Sequence, residues 1–282
     1  MKLILLTVAL WLTSLPQQYG AQSIGIYLER PDGSVFEHNA NELFHAASTM
    51  KVPVMMEAFR QSETGTLNLD TPITIKNEFA SIVDGSPYSL TVEEDSDKEI
   101  YEQIGKQIPL RELIQRMINK SSNLATNIVI SIVKPENVQK LMANIGATDM
   151  HVLRGVEDLK AYEAGKNNQT SAKALGLSYK AILDPKRFSN ESRNQMINIL
   201  LSQTSLAGIY AGLNAKENGL KVASKDGWIT EIVHDSAIIQ DQEGKRWIIV
   251  ILTRGVKEQE DGYKLIADLA NKLWNEEART KE

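Results

Sequence analysis

From Ser23 to Glu29 apolar and polar residues alternate in a stretch rich in Ile and Tyr, and this two-residue period predicts a β-strand. Pro31–Asp32–Gly33–Ser34 is a turn signal and Val35–Phe36 begins a return strand, so residues 23–37 form a predicted hairpin. From Ala46 the pattern becomes helical. Leu110–Asn119 and Leu124–Val133 carry apolar residues three and four apart, and Pro135 opens a helix that ends near Gly146. Ser171–Leu183 and Ser192–Leu201 repeat the helical spacing. Asp84–Gly85–Ser86–Pro87 marks a loop, and the charged, aperiodic stretch Arg154–Asn168 marks another. After Gly219 strand patterning returns. Leu220–Ser224 and Trp228–Ile232 are predicted as short strands, and Ala237–Gln240 and Trp247–Thr253 as a hairpin about the turn Asp241–Gln242–Glu243–Gly244. An amphipathic helix over Glu258–Glu277 closes the chain.

Two strands, many helices, several strands and a last helix predict an α+β fold rather than a βαβ parallel sheet. The two strand groups are expected to join one antiparallel sheet flanked by helices, with an all-α domain inserted. The expected boundaries are residues 22–45 and 219–282 for the discontinuous sheet domain and 46–218 for the helical domain. A cleft between such domains is the usual place for a small-molecule site.

The first residues follow another logic. Lys2 precedes an apolar run, Leu3–Leu15, interrupted only by Thr7, Thr13 and Ser14, and Pro16, Gly20 and Ala21 follow. This predicts a secretory signal over residues 1–21, with Tyr19 an imperfect residue three places before a cut after Ala21. The other readings are an uncleaved anchor or a buried helix. The run is shorter than the roughly 20 residues a membrane span needs. Over 282 residues, 42% apolar and 24% charged content is ordinary for a globular chain, and a net charge of −5 without a basic block argues against nucleic-acid binding. With no cysteine, disulfides, thiolate chemistry and cysteine lipidation are excluded. His38, His45, His151 and His234 lack metal-ligand spacing, so no metal is expected, and no Gly-rich phosphate loop follows a strand. The His234–Asp235 pair reads as a strand or turn contact.

Three short segments carry candidate chemistry. In Ser48–Thr49–Met50–Lys51 the hydroxyl and the amine stand one helical turn apart, so a lysine can assist a serine nucleophile. Helix-terminal N–H groups there favour developing negative charge. Alone, the match reads equally as a helix cap with a surface lysine. Ser121–Ser122–Asn123, between two helical stretches, offers a proton relay and an amide-binding side chain, or simply a cap. Lys225–Asp226–Gly227, followed by Trp228, offers a cation and a close backbone approach on an edge strand, or an ordinary strand end.

Taken in order, Ser-x-x-Lys, Ser-x-Asn and Lys-x-Gly resemble the motif set of class A β-lactamases and penicillin-binding proteins. The stretches Phe44–Pro53 and Met117–Asn127 are similar to that family's nucleophile and second-motif segments, and the resemblance runs from about residue 23 to the C-terminus. It implies a β-lactamase/transpeptidase-like fold with Ser48 as nucleophile, Lys51 its main partner and Ser121 a proton relay. Asn123, Lys225, Asp226, Gly227 and Trp228 would be substrate-binding, and the Ser48 and Trp228 N–H groups would form an oxyanion hole. Glu157, in Leu153–Leu159, is the candidate for the deacylating base, with Glu163 a weaker one and a surface loop charge the alternative. Class A β-lactamases and penicillin-binding proteins carry Asp where this chain has Ser122, and Thr or Ser where it has Asp226. The loop is about two residues shorter, and Ala161 replaces a companion asparagine. A helix before the first strand must come from the first twenty residues or be missing.

The implied activity is an exported, periplasmic or extracellular serine β-lactamase, an antibiotic-resistance hydrolase working through an acyl-enzyme. It would act as a monomer on a small-molecule β-lactam, without cofactor or nucleic-acid partner. The rivals are a peptidoglycan D-Ala-D-Ala peptidase or esterase of the same superfamily, and a penicillin-binding sensor without turnover.

Overall fold

In a computed structural model, which describes residues 11–278, the chain divides into two units. One takes residues up to Thr49, residues 170–180 and the chain from Ser205 onward; the other takes Met50–Gln169 and Ala181–Thr204.

The first unit is built on five antiparallel strands: β1 (Ser23–Glu29), β2 (Val35–His38), β3 (Lys221–Ile229), β4 (Ile232–Gln240) and β5 (Arg246–Arg254). β5 is central, between β1 and β4, and β2 and β3 are the edges. Strand periodicity sends Ile24, Ile26 and Leu28 of β1, Val233, Ala237 and Ile239 of β4, and Ile249 and Ile251 of β5 to one face. That face packs on Leu265, Ile266, Leu269 and Leu273 of the C-terminal helix Gln259–Leu273, at spacings of one, three and four. Each fully buried Ile or Leu contributes about 1.5–3 kcal/mol, so this face carries much of the unit's stability.

The second unit is helical. Its central helix α1 (Lys51–Glu63) is buried at nearly every position from Lys51 to Phe59, and Pro53 falls in the first turn, where its missing N–H costs least. α2 (Leu110–Asn119) and α3 (Asn123–Val133) pack with it, joined by the three-residue link Lys120–Ser122. Among the described residues, no helix is long and apolar enough to cross a membrane.

The structure departs from the sequence expectation in two places. Leu220–Ser224 and Trp228–Ile232 are not two short strands. β3 runs unbroken through Lys225–Gly227, the turn comes at Thr230–Glu231, and Ile232 already belongs to β4. The polar Lys225 and Asp226 interrupt the hydrophobic pattern, but internal partners satisfy them, so the strand continues.

Second, residues 170–180 and 205–218 join the sheet unit rather than the helical one. The Tyr179 hydroxyl donates to Ser236 O at 3.1 Å, and Ile209 and Leu213 enter the sheet core. Periodicity predicts that such segments are helical but not which core takes them.

The segment expected to be a 1–21 leader is described only in part. Residues 1–10 lie outside the described residues. Residues 11–18 are helical, and Trp11, 5% exposed, sits in the sheet core. Trp11 Nε1 donates to Glu276 Oε2 at 2.8 Å and the Tyr19 hydroxyl to Asp268 Oδ2 at 2.7 Å. A cut after Ala21 would strip these groups from the fold.

Candidate active site

In the sheet unit, Ser48 lies in the tight turn Ala47–Met50, a 3₁₀ segment that leads into α1. Several local bonds shape it. Thr49 returns both its N–H and its hydroxyl to Ala46 O, at 3.1 and 2.6 Å. Ala47 N donates to His45 Nδ1 at 3.0 Å, and Ala47 holds a left-handed φ of 45°. Fully buried His234 accepts from Thr253 N at Nδ1 (3.1 Å), which leaves its Nε2–H to donate to His45 O at 2.9 Å. Burial pushes the His234 pKa down to about 4, so the ring is neutral and serves as a strut for the chain entering the serine turn.

β3 runs beside this turn. A Cβ on Gly227 would stand 2.6 Å from Ser48 N and 3.0 Å from Thr49 N, so only glycine lets strand and serine backbone approach so closely. Lys225 is fully buried, and its ammonium donates to Asp226 O at 2.8 Å and Asp226 Oδ1 at 2.9 Å. Asp226 Oδ2 accepts from the Tyr263 hydroxyl at 2.6 Å. Despite burial, the Lys225 charge and these bonds hold the Asp226 carboxyl below the usual carboxylate range. Trp228 is 55% exposed.

In the helical unit, the fully buried Lys51 side chain donates to Ser121 O at 2.7 Å, Ser121 Oγ at 3.2 Å and Asn123 Oδ1 at 3.0 Å. The other end of the Asn123 amide donates to Glu157 Oε1 at 2.8 Å. One amide therefore bridges an ammonium and a carboxylate. Burial chiefly, with Glu94 and Asp95 adding to it, raises the Glu157 pKa against the opposing effects of Asn123 and Lys51. Ser121 and Glu157 also hold positive φ, 54° and 61°. Positive φ outside glycine marks a candidate functional position, and Ala47, Ser121 and Glu157 are among seven such residues in the described part of the chain. Ser122 caps α3 by accepting from Ala125 N. Glu163 is exposed on the short helix Leu159–Glu163, outside this network.

Three residues passed over in the sequence hold this arrangement. Asn127, one turn along α3 from Asn123, accepts from Val156 N at 2.6 Å and donates to Val156 O at 3.0 Å, pinning the residue before Glu157. Its i+4 spacing from Asn123 is a signal that sequence reading can use. Asp158 accepts from Ser81 Oγ, Ile82 N and Ala161 N. Asp95 accepts from Leu124 N at 2.8 Å, at the start of α3. Each aspartate also accepts a local N–H, Asp158 from Ala161 and Asp95 from Asp97, but nothing local points to the distant partners. Among the described residues no group of three His, Cys, Asp or Glu is placed to hold a metal ion.

The model of a family described as "Beta-lactamase enzyme family" matches residues 10–276. The chain belongs to the β-lactamase enzyme family. It is a serine β-lactamase-like hydrolase, as the motif resemblance implies. It is 26% identical to a β-lactamase of Rhodobacter capsulatus over 235 residues, 82% of this chain and 75% of that one. To β-lactamase CARB-3 of Pseudomonas aeruginosa it is 25% identical over 171 residues, 60% of this chain and only 55% of that relative's length. The crystal structure of a β-lactamase from Sphaerobacter thermophilus superposes with a TM-score of 0.76 at 22% identity, over 95% of this chain and 96% of the other. The α+β, β-lactamase/transpeptidase-like fold expected from the sequence is therefore the fold of this family member.

Proposed function

We propose that this enzyme is an exported, monomeric serine hydrolase that opens β-lactam amides through an acyl-enzyme on Ser48. The observation that carries this reading is the partly buried series Ser121–Lys51–Asn123–Glu157, each bonded to the next.

In this mechanism Ser48 Oγ attacks the strained carbonyl. Lys51, held by Ser121 O, Ser121 Oγ and Asn123 Oδ1, is the cation of this site in the proposed mechanism. Glu157, whose pKa burial raises, takes the serine proton through a water. The Ser48 and Trp228 N–H groups bind the oxyanion. Ser121 and Lys225 deliver a proton to the departing nitrogen, and the proton held by Glu157 returns to replace it, which leaves Glu157 a carboxylate again. A second water, activated by Glu157, then releases the acyl group and frees Ser48.

The leader-like pattern of residues 2–15 supports export, while the packing of Trp11 argues that any cut falls before it. Asp226 on Lys225 favours a second reading, an esterase of the same superfamily, because an ester need carry no carboxylate.

The test is intact-protein mass spectrometry with a fluorescent penicillin, together with steady-state nitrocefin hydrolysis. Wild-type protein should form one adduct on Ser48 and turn over many equivalents, and Ser48→Ala should do neither. An adduct that persists in Ser48→Ala removes the assignment. One equivalent of product followed by arrest would make the protein a sensor instead.

A further inference from the structure

We propose that Asp226 sets substrate charge: it occupies the Lys225 ammonium and turns the enzyme toward acyl donors with no carboxylate beside the leaving group. This rests on Ser48 being the acylated residue.

The geometry lies within the sheet unit. Gly227 abuts the Ser48 amide, so Lys225 and Asp226 are the strand residues immediately before that contact. The Lys225 ammonium is already bonded to Asp226 O and Oδ1. Asp226 cannot swing away without breaking the 2.6 Å bond from Tyr263. Directly across the sheet, Asp226 is paired in register with Asp235. Asp235 is locked as well: Oδ2 accepts from Ile209 N and Oδ1 from Ser236 N, and a Cβ on Gly208 would lie 2.6 Å from Oδ2.

A ligand carboxylate arriving here meets a cation that is already neutralised and a second acid behind it. Burial and the neighbouring Asp226 push the Asp235 pKa up to about 7, so this corner already resists a second negative charge. Trp228, exposed two residues beyond Asp226 and on the same face by strand alternation, adds an apolar surface. A neutral group suits this strand.

The experiment compares benzylpenicillin with its methyl ester. Second-order acylation rates are read by mass spectrometry on wild type, Asp226→Thr and Asp226→Asn, and each rate is divided by that compound's own hydroxide-catalysed hydrolysis. On this scale wild type should prefer the ester by about tenfold, the order of one partly screened charge interaction. Both variants should move the preference toward the acid by about the same factor. Should neither variant fold, the salt dependence of wild type decides. Added salt should speed acylation by the acid and leave the ester unchanged; slowing by salt would overturn the proposal. Equal wild-type rates, a wild-type preference for the acid, or variants with an unshifted preference would also overturn it while leaving the serine assignment intact. No Ser48 adduct from either compound would overturn the serine assignment itself.

Discussion

The contact between Gly227 and the serine turn makes a demanding prediction for Gly227→Ala. The new methyl carbon would stand 2.6 Å from Ser48 N, against the 3.4 Å at which ordinary contact begins, and the obstructing atom is backbone that no rotamer change can clear. Strand and turn must separate by most of that shortfall. Overpacking of this kind costs about 1–3 kcal/mol, and at about 2–4 °C per kcal/mol for a chain near this size Tm should fall by roughly 5 °C. The rate should suffer more. A shift approaching 1 Å in a reacting group costs on the order of 100-fold, and here the displaced atom belongs to the proposed oxyanion hole. Acylation is best followed by stopped flow at least 15 °C below the variant's own Tm, so that unfolding does not mimic a catalytic defect. The expected result is a modest thermal loss and an acylation rate lower by about 30- to 100-fold. A variant with wild-type Tm and acylation would show that β3 does not press on the serine amide, and the argument for a glycine there would fail.

Two further predictions concern other parts of the molecule. Glu157 has a folded-state pKa raised by burial, so its contribution to stability is full below the ordinary glutamate pKa and lost as pH rises through the raised value. Glu157→Gln should therefore melt higher than wild type at pH 8, with the difference vanishing in acid, while multiple turnover is lost; equal melting at every pH would contradict the buried-charge argument. In wild type, deacylation should fall as pH drops through that raised pKa, a limb that Glu157→Gln should lack. Trp11 is 5% exposed in the sheet core, so Trp11→Ala should lower stability by about 3–5 kcal/mol in chemical denaturation. The mature protein's mass should also include residues 11–20; a mature chain beginning at Gln22 would refute the packing role.

Much of this was legible beforehand, because the chemistry sits in short, local patterns. The pairing of Ser121 with Asn123 on Lys51, and a glycine two residues after Lys225, each have a spacing that survives folding. The hairpin at Pro31–Ser34 and the turn at Asp241–Gly244 were equally plain, since turn chemistry is written in the turn itself. What failed depended on distant partners. The buried Lys225–Asp226 pair disguised a nine-residue strand as two short ones, because the groups that satisfy it include Tyr263 on the C-terminal helix. Nothing near residue 11 announces Glu276, to which Trp11 donates. Asp95 and Asp158 serve backbone amides far along the chain, and only the fold brings those together.

The bond between Trp11 and Glu276 also bears on how the polypeptide can be re-engineered. Residues 265 positions apart in sequence lie side by side, so the first and last described segments meet on the sheet unit. A short Gly/Ser bridge between residues 11 and 278, with new termini opened at the exposed Gln242–Gly244 turn, would give a circular permutant that preserves every helix and strand among the described residues and alters only the order of synthesis.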